Sequence, residues 1–87
     1  MAYKLVILSQ AEKHLDGLDT ATAKRIAKKL IWIADQDEPL RHAAPLYNSK
    51  VGDARFRIGD YRAIAVVDEK KCIITIAAIG HRREIYR

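Results

Sequence analysis

From Ala54 onward the chain reads in twos, and no other feature limits its fold as much. Residues 54–58, 61–67 and 72–79 are alternating or β-branched apolar runs separated by turn signals, the pattern of successive strands. Gly59-Asp60 is a two-residue loop of the kind that closes a hairpin through a primed turn. A loop that short leaves one register: Ile58 faces Tyr61, Arg57 faces Arg62, Phe56 faces Ala63 and Arg55 faces Ile64. Cross-strand partners share a face, as do alternate residues of a strand. Arg55, Arg57 and Arg62 therefore crowd one side, while Phe56, Ile58, Tyr61, Ala63, Ala65 and Val67 point to the other, toward a core. Asp68-Glu69-Lys70-Lys71 is a polar loop into the last strand, and counting through it places Ala77 beside Arg62.

The N-terminal half has a different period. Residues 3–8 are apolar and β-branched enough for a strand. Ser9-Gln10-Ala11-Glu12 has the form of a capping box opening a short helix over 10–16 that stops at Gly17. Asp19 or Thr20 caps a second helix, in which Ala23, Ile26, Ala27, Leu30, Ile31, Ile33 and Ala34 recur at helical spacing as an apolar stripe. Lys24, Arg25, Lys28 and Lys29 fall opposite that stripe, and Trp32 projects between the two faces. Residues 37–52 carry no clear period; Pro39 and Pro45 mark loop, and Leu46 and Tyr47 are candidate anchors to the core. The order is β-α-α-β-β-β. It predicts one small α+β domain over residues 1–87, an antiparallel sheet with two N-terminal helices packed on one face. The partner of the first strand is not legible.

An apolar content of 49 % in 87 residues suffices for a single core and argues against general disorder. Cys72 is the only cysteine, so no disulfide scaffold is possible, and a small core residue is the expectation for it. With no signal-like segment, a reducing cytoplasmic compartment is expected. The longest apolar run, residues 72–80, is less than half of the roughly 20 residues that a membrane helix needs. His14 and His42 lack ligand partners at useful spacing and read as surface residues; neither metal nor cofactor is expected.

The net charge is +5, and six of the eight arginines lie from Arg55 onward. A basic balance fits a phosphate-bearing partner, although a generic basic surface has the same composition. The register separates these readings. Like charges directly opposite each other destabilise a sheet by roughly 0.2–1 kcal/mol per pair, so folding does not account for Arg57 across from Arg62. A polyanion held by their planar, permanently charged guanidinium groups does. Neutralisation by Asp53, Asp60 or Glu84 is the alternative. The end of the chain, Gly80-His81-Arg82-Arg83-Glu84-Ile85-Tyr86-Arg87, leaves the last strand near this patch and adds cations, an imidazole and a phenol.

Lys24/Lys28 and Arg25/Lys29 are like-charge pairs one helical turn apart, unfavourable by about 0.2–0.5 kcal/mol each. They suit a contact with RNA backbone, or a solvated helix face. Trp32 packs on the following loop or anchors a partner peptide. Ile64, Val66 and Ile73 share the arginine face farther from the turn, where they call for a cover, either a partner segment or the chain's own tail through Ile85.

Two segments, Arg55-Phe56-Arg57-Ile58-Gly59-Asp60-Tyr61-Arg62-Ala63-Ile64 and Ile79-Gly80-His81-Arg82-Arg83-Glu84-Ile85-Tyr86-Arg87, resemble the RelE/ParE superfamily of toxin–antitoxin toxins, and the likeness in element order covers nearly the whole chain. The resemblance to the RelE branch implies a metal-independent, ribosome-dependent endonuclease that cuts mRNA in the ribosomal A site. It also implies a cognate antitoxin that wraps and neutralises the toxin, with DNA reached only through that antitoxin. Position by position, the family's catalytic residues match Arg55 and Arg57 before the hairpin, Arg62 after its tyrosine, Arg82 after the terminal glycine, and Tyr86. Arg55 and Arg57 stand where relatives can carry lysine. Tyr86 by family position and His81 by intrinsic pKa are the two candidates for general base. Arg83 joins Lys24, Arg25, Lys28 and Lys29 as an expected RNA or ribosome contact. Trp32, Ile64, Val66 and Ile73 are the expected antitoxin surface. The resemblance leaves two other readings, a ParE-like gyrase poison and an inactive relative that only binds.

Overall fold

The Gly59-Asp60 turn sets the register as expected. In a computed structural model that describes residues 2–45 and 54–85, strands β3 (Ala54–Ile58) and β4 (Tyr61–Asp68) pair antiparallel. Arg57 lies opposite Arg62, Ile58 opposite Tyr61 and Arg55 opposite Ile64. Gly59 sits at φ 60°, the left-handed region that a glycine enters without steric cost.

Around this hairpin the sheet has five strands in the order β1-β5-β4-β3-β2, with β1 at Lys4–Ile7, β2 at Ala43–Pro45 and β5 at Ile73–His81. Every pair is antiparallel except β1 with β5, which is parallel. The expected antiparallel sheet is thus found except at one edge, where β1, whose partner is not legible in the sequence, pairs in parallel. The long route from β1 through both helices lets β1 lie along β5 in the same direction, fastened by the Lys4 amide donating to the Cys72 carbonyl and the Leu8 amide donating to that of Ile76. Strand β2 follows a 3₁₀ turn at Pro39–His42 and was not foreseen. It is three residues long and ends in proline, too short to show an alternation. Leu46, Tyr47 and Asp53 lie outside the described residues.

Helices α1 (Ser9–Asp16) and α2 (Thr20–Ala34) cover the face of the sheet opposite the arginines. Ile26, Leu30 and Ile33 from α2 meet Phe56, Ile74 and Ile76 in the core. Ile31, expected in the apolar stripe, is 60 % exposed, because it stands in line with Lys24 and Lys28 rather than with Ile26 and Leu30. Asp19 caps α2, its carboxylate accepting from the Thr22 amide at 3.0 Å and from the Thr22 hydroxyl. Those bonds hold its carboxyl below the usual range. The capping box at Ser9 does not form. Leu8, held extended by its bond to Ile76, takes the cap position, its carbonyl accepts from the Glu12 amide, and Ser9 becomes the first helical residue. Cys72 lies half-buried in the turn before β5 at φ 55°, not in the core.

One register differs in a way that matters. Asp68 pairs with Ile73, and an irregularity between Ile64 and Ala65 shifts the pairing further, so Arg62 lies opposite Gly80 and not Ala77. The turn lies one position later than expected, at 69–72, which accounts for two residues of the shift, and the bulge adds the third. A short helix, α3 (Arg82–Ile85), therefore begins beside the hairpin turn, with the Arg82 amide donating to the Asp60 carbonyl at 2.8 Å.

Candidate functional site

The three strand arginines share one face, as alternation and register require. Arg57 is exposed and Arg55 half-buried, whereas Arg62 is only 8 % exposed. The Arg62 guanidinium lies back along the turn, where Nη1 donates to the carbonyls of Gly59 at 3.0 Å and Tyr61 at 2.9 Å. Both acceptors are neutral. They fix the orientation of the group without cancelling its charge, which is what a preorganised anion site requires.

Strand β2 completes a groove of about 340 Å³ lined by Arg41, His42, Ala43, Ala44, Arg55, Arg57 and Arg62. Ala44 lies opposite Arg55 on the arginine face, where its side chain is a single methyl. Arg41 is paired with Glu38 at 2.7 Å. Arg41 and His42 were not foreseen as site residues. The only available signal was β-pairing of a three-residue segment, which has no local signature. His42 is nonetheless exposed, as expected for a surface residue.

The C-terminal candidates divide. Arg82 and Arg83 are exposed at the start of α3, next to the hairpin turn. His81 pairs with Tyr61, on the side of the sheet that carries the helices. Its ring meets the Tyr61 ring edge-on at 5.5 Å, and its Nδ1 accepts from the Arg83 amide at 3.2 Å. It opens onto a separate cleft with Lys13, His14, Gly17 and Leu18, not onto the arginine groove. One residue of strand alternation after Gly80 makes the difference. Tyr86 lies outside the described residues.

His14 is corrected from a surface residue to a structural one: its Nδ1 accepts from the Ile79 amide at 3.0 Å. Strand β1 pairs no farther along β5 than Ile76, so that amide has no ladder partner on β1 and α1 supplies an acceptor.

The basic residues of α2 are exposed. They are not equivalent: the end of the Arg25 side chain approaches Gly59 at the hairpin turn, and Lys29 Nζ stands 4.4 Å above the Trp32 ring. Trp32 packs on the loop through His42, ring centroids 4.9 Å apart. Of the apolar residues on the arginine face, Ile64 is already enclosed at 6 % exposure between Arg55 and Ala78, while Val66 is 46 % exposed and Ile73 half-buried. No group of three or more potential metal ligands occurs among the described residues. No described helix is long and apolar enough to cross a membrane.

Fold and groove together define a small α+β protein with an arginine-lined depression beside a tight hairpin. Comparison with known proteins extends that description. A sequence model of the family described as the ParE toxin of the type II toxin–antitoxin system parDE matches residues 5–86. The chain is 30 % identical over 90 residues to toxin RelG of Mycobacterium tuberculosis, covering 100 % of this chain and 99 % of the relative. Among solved structures, a chain of the toxin–antitoxin complex RelBE2 from M. tuberculosis superposes with a TM-score of 0.83 at 23 % identity, over 94 % of this chain and 100 % of that one. A chain of the archaeal RelE–RelB complex from Pyrococcus horikoshii gives 0.75 at 28 % identity, over 97 % and 99 %. A free-state mutant of Escherichia coli RelE gives 0.73 at 20 %, over 99 % and 92 %. The chain belongs to the RelE/ParE superfamily of type II toxin–antitoxin toxins.

Proposed function

We propose that this toxin is a ribosome-dependent endoribonuclease that cleaves A-site mRNA and is neutralised by a cognate antitoxin. The observation that carries the reading is the convergence of Arg55, Arg57 and Arg62 on one groove, with Arg57 directly opposite Arg62. A strand pairing that works against folding makes sense where a phosphodiester lies between the two side chains.

RNA is cleaved when its 2′-oxygen attacks the adjacent phosphorus. The O2′–P bond forms, the P–O5′ bond breaks, the 2′ proton leaves to a base, and the 5′-oxygen takes up a proton. The charge that builds on the phosphorane is met by the three guanidinium groups, and removing one such donor typically costs about 10²–10³ in rate. Arg62 is held in place by the turn carbonyls, and Arg57 extends from the opposite strand. Arg82 holds the phosphate or assists the leaving group from the start of α3. We assign proton removal to Tyr86, on its match to the family's C-terminal tyrosine. His81 is set aside because its ring lies against Tyr61 on the other face. The antitoxin's place is the apolar stretch on the arginine face, at exposed Val66 and half-buried Ile73, and the basic face of α2 with Arg83 meets ribosomal RNA. In the toxin–antitoxin complexes of the M. tuberculosis, P. horikoshii and E. coli relatives a toxin of this fold is held by an antitoxin.

The family description as the toxin of parDE favours one second reading, a gyrase poison. Primer extension on mRNA from expressing cells separates the two. Codon-phased cuts that vanish in Arg62→Ala and Tyr86→Phe support the nuclease; intact mRNA with broken DNA supports the poison and refutes it.

A further inference from the structure

The arginine groove does not end at the edge of the sheet. His42 forms part of its lining and also touches Trp32 on α2, with 4.9 Å between ring centroids. Trp32 in turn carries the Lys29 ammonium 4.4 Å from its ring. The aromatic pair wraps around the β2 edge, from the face that holds the guanidinium groups to the face that holds the helices. Its burial is unusual for its chemistry. Trp32 is 45 % exposed although it is the chain's only tryptophan, and indoles are on average highly buried. His42 is exposed as well.

We propose that Trp32 and His42 form a base-stacking subsite for the nucleotide next to the phosphate that the arginine groove holds. The inference rests on the reading of that groove as an RNA site and adds to it a contact with the base. Two features favour single-stranded RNA as the occupant. A cationic groove that tracks a backbone, continuous with exposed aromatic rings, is the arrangement that binds unpaired strands, because every base has a face to stack and every linkage has a phosphate to pair. The charge around the rings also has the right sign: Lys29 on one side, and Arg57 and Arg62 of the groove on the other, while Arg41 is already paired with Glu38. Lys29 and His42 both contact the indole, and contacts that favour one orientation of a ring lower the cost of ordering it when a base arrives.

The single tryptophan makes a clean reporter. The full chain is titrated with a fluorophore-labelled hexaribonucleotide and with a strand of the same length in which every ribose lacks its base. Binding is read by anisotropy, and Trp32 emission is followed with unlabelled strands. The expected result is saturable quenching by the intact strand and none by the abasic strand. Trp32→Ala and His42→Ala each weaken binding of the intact strand about five- to a hundredfold and leave the abasic strand unaffected. Trp32→Phe retains most of the affinity, and His42→Gln, similar in size, repeats the His42→Ala loss in a variant whose melting is checked to be unchanged. Arg57→Ala weakens both strands.

Unchanged emission at saturating RNA overturns the subsite. So does full affinity in both aromatic variants while Arg57→Ala still weakens binding; the groove then stands without it. If neither strand binds at millimolar concentration, groove and subsite fall together. If Trp32→Ala weakens only a protein partner and not RNA, the aromatic pair is a protein contact and the inference is wrong.

Discussion

Replacing Arg57 with glutamine tests whether the arginine pair is kept for function against the interest of the fold. Arg57 is exposed and faces Arg62 directly. In a two-residue hairpin the pair next to the turn-flanking residues is of the non-hydrogen-bonded kind, with Cα atoms about 4.5 Å apart, where side chains approach most closely. Like charges so placed cost roughly 0.2–1 kcal/mol. Arg62 cannot swing clear, since its guanidinium is bound to the Gly59 and Tyr61 carbonyls. Arg57→Gln keeps a polar, unbranched side chain, two bonds shorter, and removes the repulsion. It should stabilise the protein by about that amount, a rise in Tm on the order of 1–8 °C for a domain of this size. The gain should shrink as salt is added, because screening already weakens the repulsion in the parent. Cleavage of ribosome-bound mRNA should fall by about 10²–10³. Paired urea melts at low and high salt, with a single-turnover cleavage assay on the same preparations, measure both quantities. A variant less stable than the parent by about 1 kcal/mol, with cleavage intact, would refute the reasoning, for Arg57 would then serve the fold and not the substrate.

Three further outcomes follow from the geometry. Gly59→Ala forces a Cβ into a backbone at φ 60° and should destabilise by about 1–2 kcal/mol in denaturant titrations; the nearest group, Arg25, stands far enough away that steric contact adds little. His14→Ala removes the acceptor of the Ile79 amide, and a buried donor left unpaired costs about 1–3 kcal/mol. Faster hydrogen exchange at Ile79 than at Ile74 would mark the lesion. Ala44→Leu should fill the groove in front of Arg55, lowering cleavage roughly 10²-fold through misplacement of the phosphate with thermal stability nearly unchanged. Full activity in that variant would move the substrate out of the groove.

What could be read in the chain was local. Alternation and a two-residue turn leave one register for β3 and β4, so the facing of Arg57 and Arg62 followed from the residues between Arg55 and Ile64 alone. Helical spacing likewise separated Ile26, Leu30 and Ile33 from Lys24 and Lys28, because neighbours within one element are set by its own repeat. Ser9 shows how such reasoning fails: its capping box lost to a β-pairing bond between Leu8 and Ile76, whose strands are far apart in sequence.

Everything that depends on distant segments meeting was settled only in the tertiary structure. The sequence by itself determined that three guanidinium groups share a face and that two helices cover the other. It did not determine that β1 runs parallel to β5, that a three-residue strand brings Arg41, His42 and Ala44 to the arginines, or that Gly80 lies opposite Arg62 and turns His81 away from them. The physical reason is the range of the forces involved. Backbone sterics and side-chain alternation act over a few residues and repeat along an element. Strand partners, bulges and groove walls are chosen by which distant surfaces can bury apolar area and satisfy backbone hydrogen bonds together, and no short window of residues contains that choice.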